Sequence, residues 1–188
     1  MDCVQHLNGM FAFAIYDKNT ERLIIFRDRL GIKPLFYYVS DQKFLFASEI
    51  KAILTDPEVD RKLDVQGTHN YLSFYYSTAP LTLFSNIKQL LPGHLLVVNK
   101  NGTTNLQCYW KPNFIAQQPN DRNKKDWLDE FDEKLKRSIQ MQLVSDVPFG
   151  AFLSGGLDSS SIAYYMKELL SEVKTFSMGF NENSFSEL

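Results

Sequence analysis

The densest chemistry in the sequence lies in one short string, Ser154-Gly-Gly-Leu-Asp-Ser-Ser160. Gly155 and Gly156 lack a Cβ, so they admit positive φ and let backbone N–H groups come close to an anion. Ser154, Ser159 and Ser160 add hydroxyl donors. The apolar run Pro148-Phe-Gly-Ala-Phe-Leu153 precedes the string and a helical stretch follows it. The string therefore falls where a strand becomes a helix. A helix N-terminus offers unpaired N–H groups and a partial positive charge, which suits phosphate. Asp158 is the odd member, because a carboxylate repels phosphate. It makes sense if it orients a loop donor or helps hold Mg²⁺, a hard cation that takes oxygen ligands alongside phosphates. No lysine lies in the turn, and the spacing is not Gly-x-Gly-x-x-Gly, so neither a Walker loop nor a dinucleotide fingerprint is present. A bare Ser-Gly-Gly is most simply a glycine turn with a serine cap. The complete string at a strand-to-helix junction argues instead for phosphate binding.

The elements that must position this string follow from periodicity. Trp127, Phe131, Leu135, Ile139 and Leu143 recur every four residues, with Leu128 beside them, and predict an amphipathic helix from about Lys125 to Val144. A strand over Pro148–Leu153, a helix from about Leu157 to Leu170 and a strand over Lys174–Phe180 make a βαβ unit, the start of a parallel sheet. Two parallel strands are too few for a sheet, so this second domain reads as incomplete. The stretch Lys111–Lys125, with Pro112, Gln117, Gln118, Pro119, Asn120 and Asn123, reads as a linker.

The first half reads as β-rich. Phe11–Tyr16 and Leu23–Phe26 form a hairpin across the polar turn Asp17–Glu21. Phe36–Val39 and Phe44–Ala47 are two more strands. Ser48 is placed to cap a short helix over Glu49–Leu54, and an acidic residue, Asp64, to cap a helix reaching Phe74. His94–Val98 and Thr103–Trp110 flank the turn Asn99-Lys-Asn-Gly102. Gly31 and Pro34 shape a turn in which Arg27, Asp28 and Arg29 could pair with one another. The aromatics from Phe36 to Tyr38 read as core.

Composition excludes several classes. Of 188 residues, 44% are hydrophobic and 14% aromatic, enough for a packed core. With 20 basic and 22 acidic side chains, net charge −2, nothing suggests a polyanion-binding surface and nucleic acid is not expected as a partner. No apolar run is long enough to span a membrane and no export signal opens the sequence. Cys3 and Cys108 have neither metal nor redox spacing and read as reduced cytosolic thiols. His6, His69 and His94 show no metal spacing either.

The string at 154–160 resembles the Ser-Gly-Gly-x-Asp-Ser loop of the ATP-pyrophosphatase family, whose members adenylate a carboxylate or carbonyl oxygen and release pyrophosphate. The resemblance implies ATP and Mg²⁺ as cofactors. It gives Ser154, Gly155, Gly156, Leu157, Asp158, Ser159 and Ser160 the role of gripping the departing phosphates, with Asp158 as catalytic residue and Mg²⁺ ligand. It also places adenine near Leu153 and Met178, at the ends of the two strands. Leu7-Asn-Gly-Met-Phe-Ala-Phe-Ala-Ile-Tyr-Asp17, Arg27-Asp-Arg-Leu-Gly-Ile-Lys-Pro-Leu-Phe-Tyr37, Phe46-Ala-Ser-Glu-Ile-Lys-Ala-Ile53 and Leu91-Pro-Gly-His94 resemble class II glutamine amidotransferase domains. Together with Ser145-Asp-Val-Pro-Phe-Gly-Ala-Phe-Leu153, these make nearly the whole chain similar to the glutamine-dependent asparagine synthetases.

That resemblance implies an α+β part over residues 1–112, the back half of an N-terminal-nucleophile αββα sandwich. A linker follows at 113–124, and then the start of an α/β parallel-sheet ATP-pyrophosphatase domain over 125–188. It implies small-molecule partners (aspartate, glutamine and ATP), a cytoplasmic location, no membrane and compatibility with a homodimer. In that family the glutaminase nucleophile is an N-terminal cysteine. Position 2 here is Asp2, and Cys3 stands too close to Leu7-Asn-Gly-Met-Phe11 to be that residue. The chain is thus expected to be an internal fragment with no glutaminase catalytic residue. Two rivals remain: a related amidotransferase or synthetase acting on another carboxylate, in antibiotic or surface-polysaccharide pathways, and a non-catalytic truncated protein.

Overall fold

The computed structural model describes residues 2–114 and 122–179. The chain divides into two compact units, Met1–Ile115 and Ala116–Leu188. A mixed α/β architecture with antiparallel sheets fills the first.

In that unit, β1 (Ala12–Asp17) and β2 (Arg22–Arg27) form the expected hairpin, Ala12 opposite Arg27 and Asp17 opposite Arg22. The turn is set by Asp17, whose carboxylate accepts the N–H of Asn19 at 2.9 Å and the hydroxyl of Thr20 at 2.7 Å. Next come β3 (Phe36–Val39), β4 (Phe44–Ala47), α1 (Ile50–Ile53), α2 (Val65–Phe74), β5 (Ile87–Gln89), β6 (His94–Val98) and β7 (Thr104–Cys108). One sheet has the order β1-β2-β6-β7 and another β4-β3-β5, with every pair antiparallel.

The apolar runs of β2 and β6 reflect burial on both faces of the first sheet. Ile24, Phe26, Leu95 and Val97 pack with Val4 on one side. Ile25 and Leu96 pack with Leu35 and Leu90 on the other. Phe36 and Tyr38 join a third cluster around Ile53, Val59 and Ile87, and Tyr37 joins the second, so the aromatic run is core as expected.

Two expectations are corrected, and one strand is new. Ser48 does not cap α1: Glu49 takes the N-cap position in extended conformation with no side-chain cap bond, and the helix is a single turn. Glu49 is engaged with Lys51 instead, at 2.6 Å. Arg27 and Asp28 do not pair in their turn. Arg27 donates to the carbonyls of Leu90, Gly31 and Lys33, and Asp28 accepts N–H groups from Leu30, Ile32 and Lys33. Both are buried, and backbone groups satisfy them. Strand β5 was not foreseen, because Ile-Lys-Gln is too short to show a period. Its pairing partner, β3, lies some fifty residues earlier, with Phe36 opposite Gln89.

Asp64 caps α2 as expected, accepting the N–H of Gly67. A Cβ added at Gly67 would lie 2.0 Å from the carbonyl oxygen of Thr82, a buried residue. Alanine gains about 0.8–1 kcal/mol of helix propensity over glycine, but forcing atoms into a packed contact costs about 1–3 kcal/mol. At 2.0 Å from backbone the cost wins. Gly67→Ala should therefore lower the urea midpoint of the first unit. An unchanged or raised midpoint would mean that α2 can slide away from Thr82 freely.

In the second unit, α3 (Lys124–Gln142) begins at Asn123, whose side chain accepts the N–H of Asp126. It is followed by β8 (Ala151–Phe152), α4 (Leu157–Leu169) and β9 (Thr175–Phe176). The strands are shorter than the sequence suggests, and Phe180 lies outside the described residues. They pair in parallel, Ala151 opposite Thr175 and Phe152 opposite Phe176, so strand, helix and strand form the expected βαβ connection. The core here is small. Ile139, Ala151 and Met166 are buried, with Leu135 and Leu143 against them. The forward part of the α3 stripe, Trp127, Leu128 and Phe131, is exposed.

Candidate functional site

The strand β8 runs into α4 through the string at 154–160, so every residue of it is set by the βαβ connection. Gly155 has φ +82°, a conformation that favours glycine, and Gly156 is the N-cap in extended conformation. No side chain caps α4. Among the described residues nothing accepts the N–H groups of Leu157, Asp158 or Ser159, so the first turn of α4 presents free donors.

The hydroxyls divide into two kinds. Ser159 is turned inward: its Oγ accepts the N–H of Ser154 at 3.2 Å, donates to the carbonyl of Gly156 at 3.2 Å and shares a hydrogen bond with the Ser154 hydroxyl at 3.1 Å. These contacts hold the loop closed on itself. Ser160 and Asp158 are exposed, and no described group is hydrogen-bonded to either side chain. Ser160 gives its N–H to Gly156 as the first helical bond. The loop is thus a shaped set of donors with one carboxylate beside it.

Leu153 and Met178 come together at the adjoining ends of the two strands. The N–H of Leu153 donates to the carbonyl of Phe176 at 2.8 Å, and its carbonyl accepts the Ser177 hydroxyl at 2.6 Å. Leu153 is half-buried and Met178 exposed. Ser177 was not singled out in the sequence, where the only signal is a hydroxyl directly after an apolar strand. An apolar groove of about 670 Å³ lies beside β8, lined by Leu135, Ile139, Phe149, Ile162 and Met166 among others. Residues 154–160 are not among its lining.

Among the described residues no three His, Cys, Asp or Glu side chains cluster closely enough to hold a metal by themselves. Asp158 is the carboxylate that the loop itself offers to a cation. That donor set fits Mg²⁺, which keeps its waters and takes one or two carboxylates together with phosphate oxygens.

Cys3 is exposed in a 3-10 turn at Asp2–Gln5, and Cys108 is exposed on β7, its thiol donating to the carbonyl of Trp110. The backbone nitrogen of Cys3 is an amide, bonded to Asp2, and cannot act as a base. The purified chain should release no ammonia from glutamine, and Cys3→Ala should leave that baseline unmoved. Turnover abolished by the substitution would make Cys3 a nucleophile after all.

Comparison with known proteins places these units. The glutamine amidotransferase domain family matches residues 1–110, and the asparagine synthase family matches residues 130–188. Asparagine synthetase [glutamine-hydrolyzing] 3 of Bacillus subtilis is 39% identical over 188 residues, covering 97% of this chain and 30% of the relative. Asparagine synthetase [glutamine-hydrolyzing] 1 of the same organism is 36% identical, covering 100% of this chain and 29% of its own length. The fungal protein Amidase chry2 of Gibberella zeae is 34% identical, over 90% of this chain and 25% of that protein. The chain therefore spans about three-tenths or less of each of these three relatives.

Proposed function

The chain belongs to the glutamine amidotransferase domain family, and on that premise we propose that it serves glutamine-dependent asparagine synthesis, supplying the loop that grips the pyrophosphate of ATP. In this reading residues 1–112 are the back half of an αββα glutaminase sandwich, and residues 125–188 open an ATP-pyrophosphatase domain in the cytoplasm. The observation that carries it is the junction of β8 and α4: the complete Ser154–Ser160 string, Gly155 at φ +82° and an uncapped first helical turn. The N–H groups of Leu157, Asp158 and Ser159 face where an anion would bind. Leu153 and Met178 form the wall for the nucleoside.

The chemistry follows. A carboxylate oxygen of aspartate attacks the α-phosphorus of ATP, the bond from that phosphorus to the pyrophosphate oxygen breaks, and an acyl-adenylate forms. Ammonia from glutamine then attacks the acyl carbon and AMP leaves. The charge that develops on the departing pyrophosphate is met by preorganised N–H and hydroxyl donors, which need no reorganisation at that moment. Mg²⁺ held by Asp158 and the phosphates would offset the same charge.

A second reading is amidation of a carboxylate other than that of aspartate; the relatives include a fungal protein named an amidase rather than an asparagine synthetase. The loop would act identically in both.

The test is hydrogen exchange on the purified chain with and without magnesium pyrophosphate. Binding should slow exchange at Leu157, Asp158 and Ser159 more than elsewhere in α4, because ligand binding stabilises what it contacts. Protection absent from the first turn of α4 would remove the loop from phosphate binding.

A further inference from the structure

The geometry points to Ser177 as a positioning residue that fixes the span between the phosphate loop and the nucleoside wall, a role that rests on the function proposed above. The ladder between β8 and β9 pairs Ala151 with Thr175 and Phe152 with Phe176, and it includes the N–H of Ala151 to the carbonyl of Lys174 at 2.9 Å and that of Leu153 to Phe176 at 2.8 Å. In a parallel ladder, a residue that donates to one position accepts from the residue two further along the partner strand. The Leu153 carbonyl is therefore due the N–H of Met178. It takes the Ser177 hydroxyl instead, at 2.6 Å, and among the described residues no bond from the Met178 N–H to it is made.

A side chain thus replaces the backbone at the last rung. Backbone pairing ends there, and the two chains are free to part beyond it. This is the carboxyl end of the parallel pair, the end where open α/β sheets take their ligands. The same hydroxyl ties two functional segments together, since Leu153 immediately precedes the loop and Ser177 immediately precedes Met178. The loop's own closure does not depend on it: the N–H of Ser154 goes to the Ser159 hydroxyl, within the loop. Loop shape and loop-to-wall span are therefore held by different hydroxyls.

Two ligands separate these properties. Inorganic pyrophosphate needs only the loop, whereas ATP needs the loop and the Met178 wall at a fixed distance. Titration calorimetry on the 188-residue chain, in the presence of Mg²⁺, would compare ATP with pyrophosphate for wild type, Ser177→Ala and Ser177→Thr. Ser177→Ala should weaken ATP by about tenfold, the upper end for one neutral hydrogen bond, and leave pyrophosphate within about twofold. Ser177→Thr keeps the hydroxyl on a β-compatible side chain and should restore ATP binding. Unchanged ATP affinity in Ser177→Ala would overturn the proposal. So would equal weakening of both ligands, which is the mark of a damaged fold, or wild-type binding of pyrophosphate without ATP. Wild-type chain that bound neither ligand would overturn the function itself, and Ser177's role with it.

Discussion

Asp158→Asn lowers the rate of ATP cleavage by about 10²–10³, the usual loss when one preorganised electrostatic group is removed from a transition state. The expectation applies to a hybrid enzyme in which this chain replaces the segment it matches in asparagine synthetase [glutamine-hydrolyzing] 3 of Bacillus subtilis. Asp158 stands in the first turn of α4, exposed, and no described group hydrogen-bonds its side chain. Among the described residues the fold therefore does not use the carboxylate. A charge kept free beside phosphate donors, where it repels the ligand, is consistent with a cation between the two. Asparagine has the same shape and no charge, so it removes the metal contact without reshaping the loop. Glutamine hydrolysis takes place at a different site and should persist in the variant, and its melting temperature should stay near that of the wild-type hybrid. If ATP cleavage survived within about threefold, far above that expected loss, Asp158 would hold neither metal nor loop donor during the reaction.

Asp28→Ala should give the largest loss of stability in the first unit. Asp28 is 1% exposed, and its carboxylate accepts N–H groups from Leu30 at 3.2 Å, Ile32 at 3.0 Å and Lys33 at 2.9 Å. Its backbone is engaged as well, with Phe11, Gly31 and Gly93. The loop from Asp28 to Lys33 is wound around one carboxylate, while the neighbouring Arg27 guanidinium ties it to Leu90. Removing the carboxylate strands three donors, each costing about 1–3 kcal/mol when buried, and leaves Arg27 without its nearest opposite charge. A loss of about 3–5 kcal/mol is expected. Asp28→Asn keeps one acceptor oxygen and should fall between.

The pH dependence carries a sign. Burial alone would raise the Asp28 carboxyl, but the N–H groups of Lys33, Ile32 and Leu30 outweigh it and hold it below the ordinary value. The folded state therefore binds this proton less readily than the unfolded chain. The stabilisation is fully present above the unfolded value, about 3.9, and is lost as pH falls through the lower folded one. The urea-derived gap between wild type and Asp28→Ala should narrow from pH 7 to about pH 3, where the unfolded carboxyl is mostly protonated. A gap constant over that range would show that the carboxylate's charge is not what holds the loop.

Most elements were legible because each announces itself locally. The β1–β2 hairpin needs only its apolar runs and the Asp17 turn, α2 its Asp64 cap, and α3 its four-residue period. What stayed hidden depends on distant backbone. Arg27 finds the carbonyl of Leu90 across sixty-three positions, so the charged triplet gives no local sign that backbone will satisfy it. Strand β5 exists because β3 offers it an edge. Glu49 displaces Ser48 at α1 through its position in an extended segment, not through a better side-chain acceptor. The same division holds at the site. The sequence places Ser154 to Ser160 at a strand-to-helix turn, since adjacency is all that requires. It cannot say that Ser159 is spent holding the loop closed while Ser160 faces out, or that Ser177 replaces a ladder bond. Those facts depend on where each hydroxyl points, which the βαβ geometry decides. The α3 stripe is periodic as read, yet Trp127 and Phe131 remain exposed, because periodicity records the face a helix intends to bury and not what covers it.

The central claim is that the loop holds the pyrophosphate leaving group while attack falls on the α-phosphorus. The most direct measurement is product analysis in the same hybrid enzyme, with ATP labelled at the α-phosphorus and aspartate and glutamine supplied. Labelled AMP should appear in equal amount with pyrophosphate and asparagine, and should depend on aspartate. Labelled ADP with inorganic phosphate would mean attack at the γ-phosphorus, a loop working as a kinase loop does, and would contradict the account.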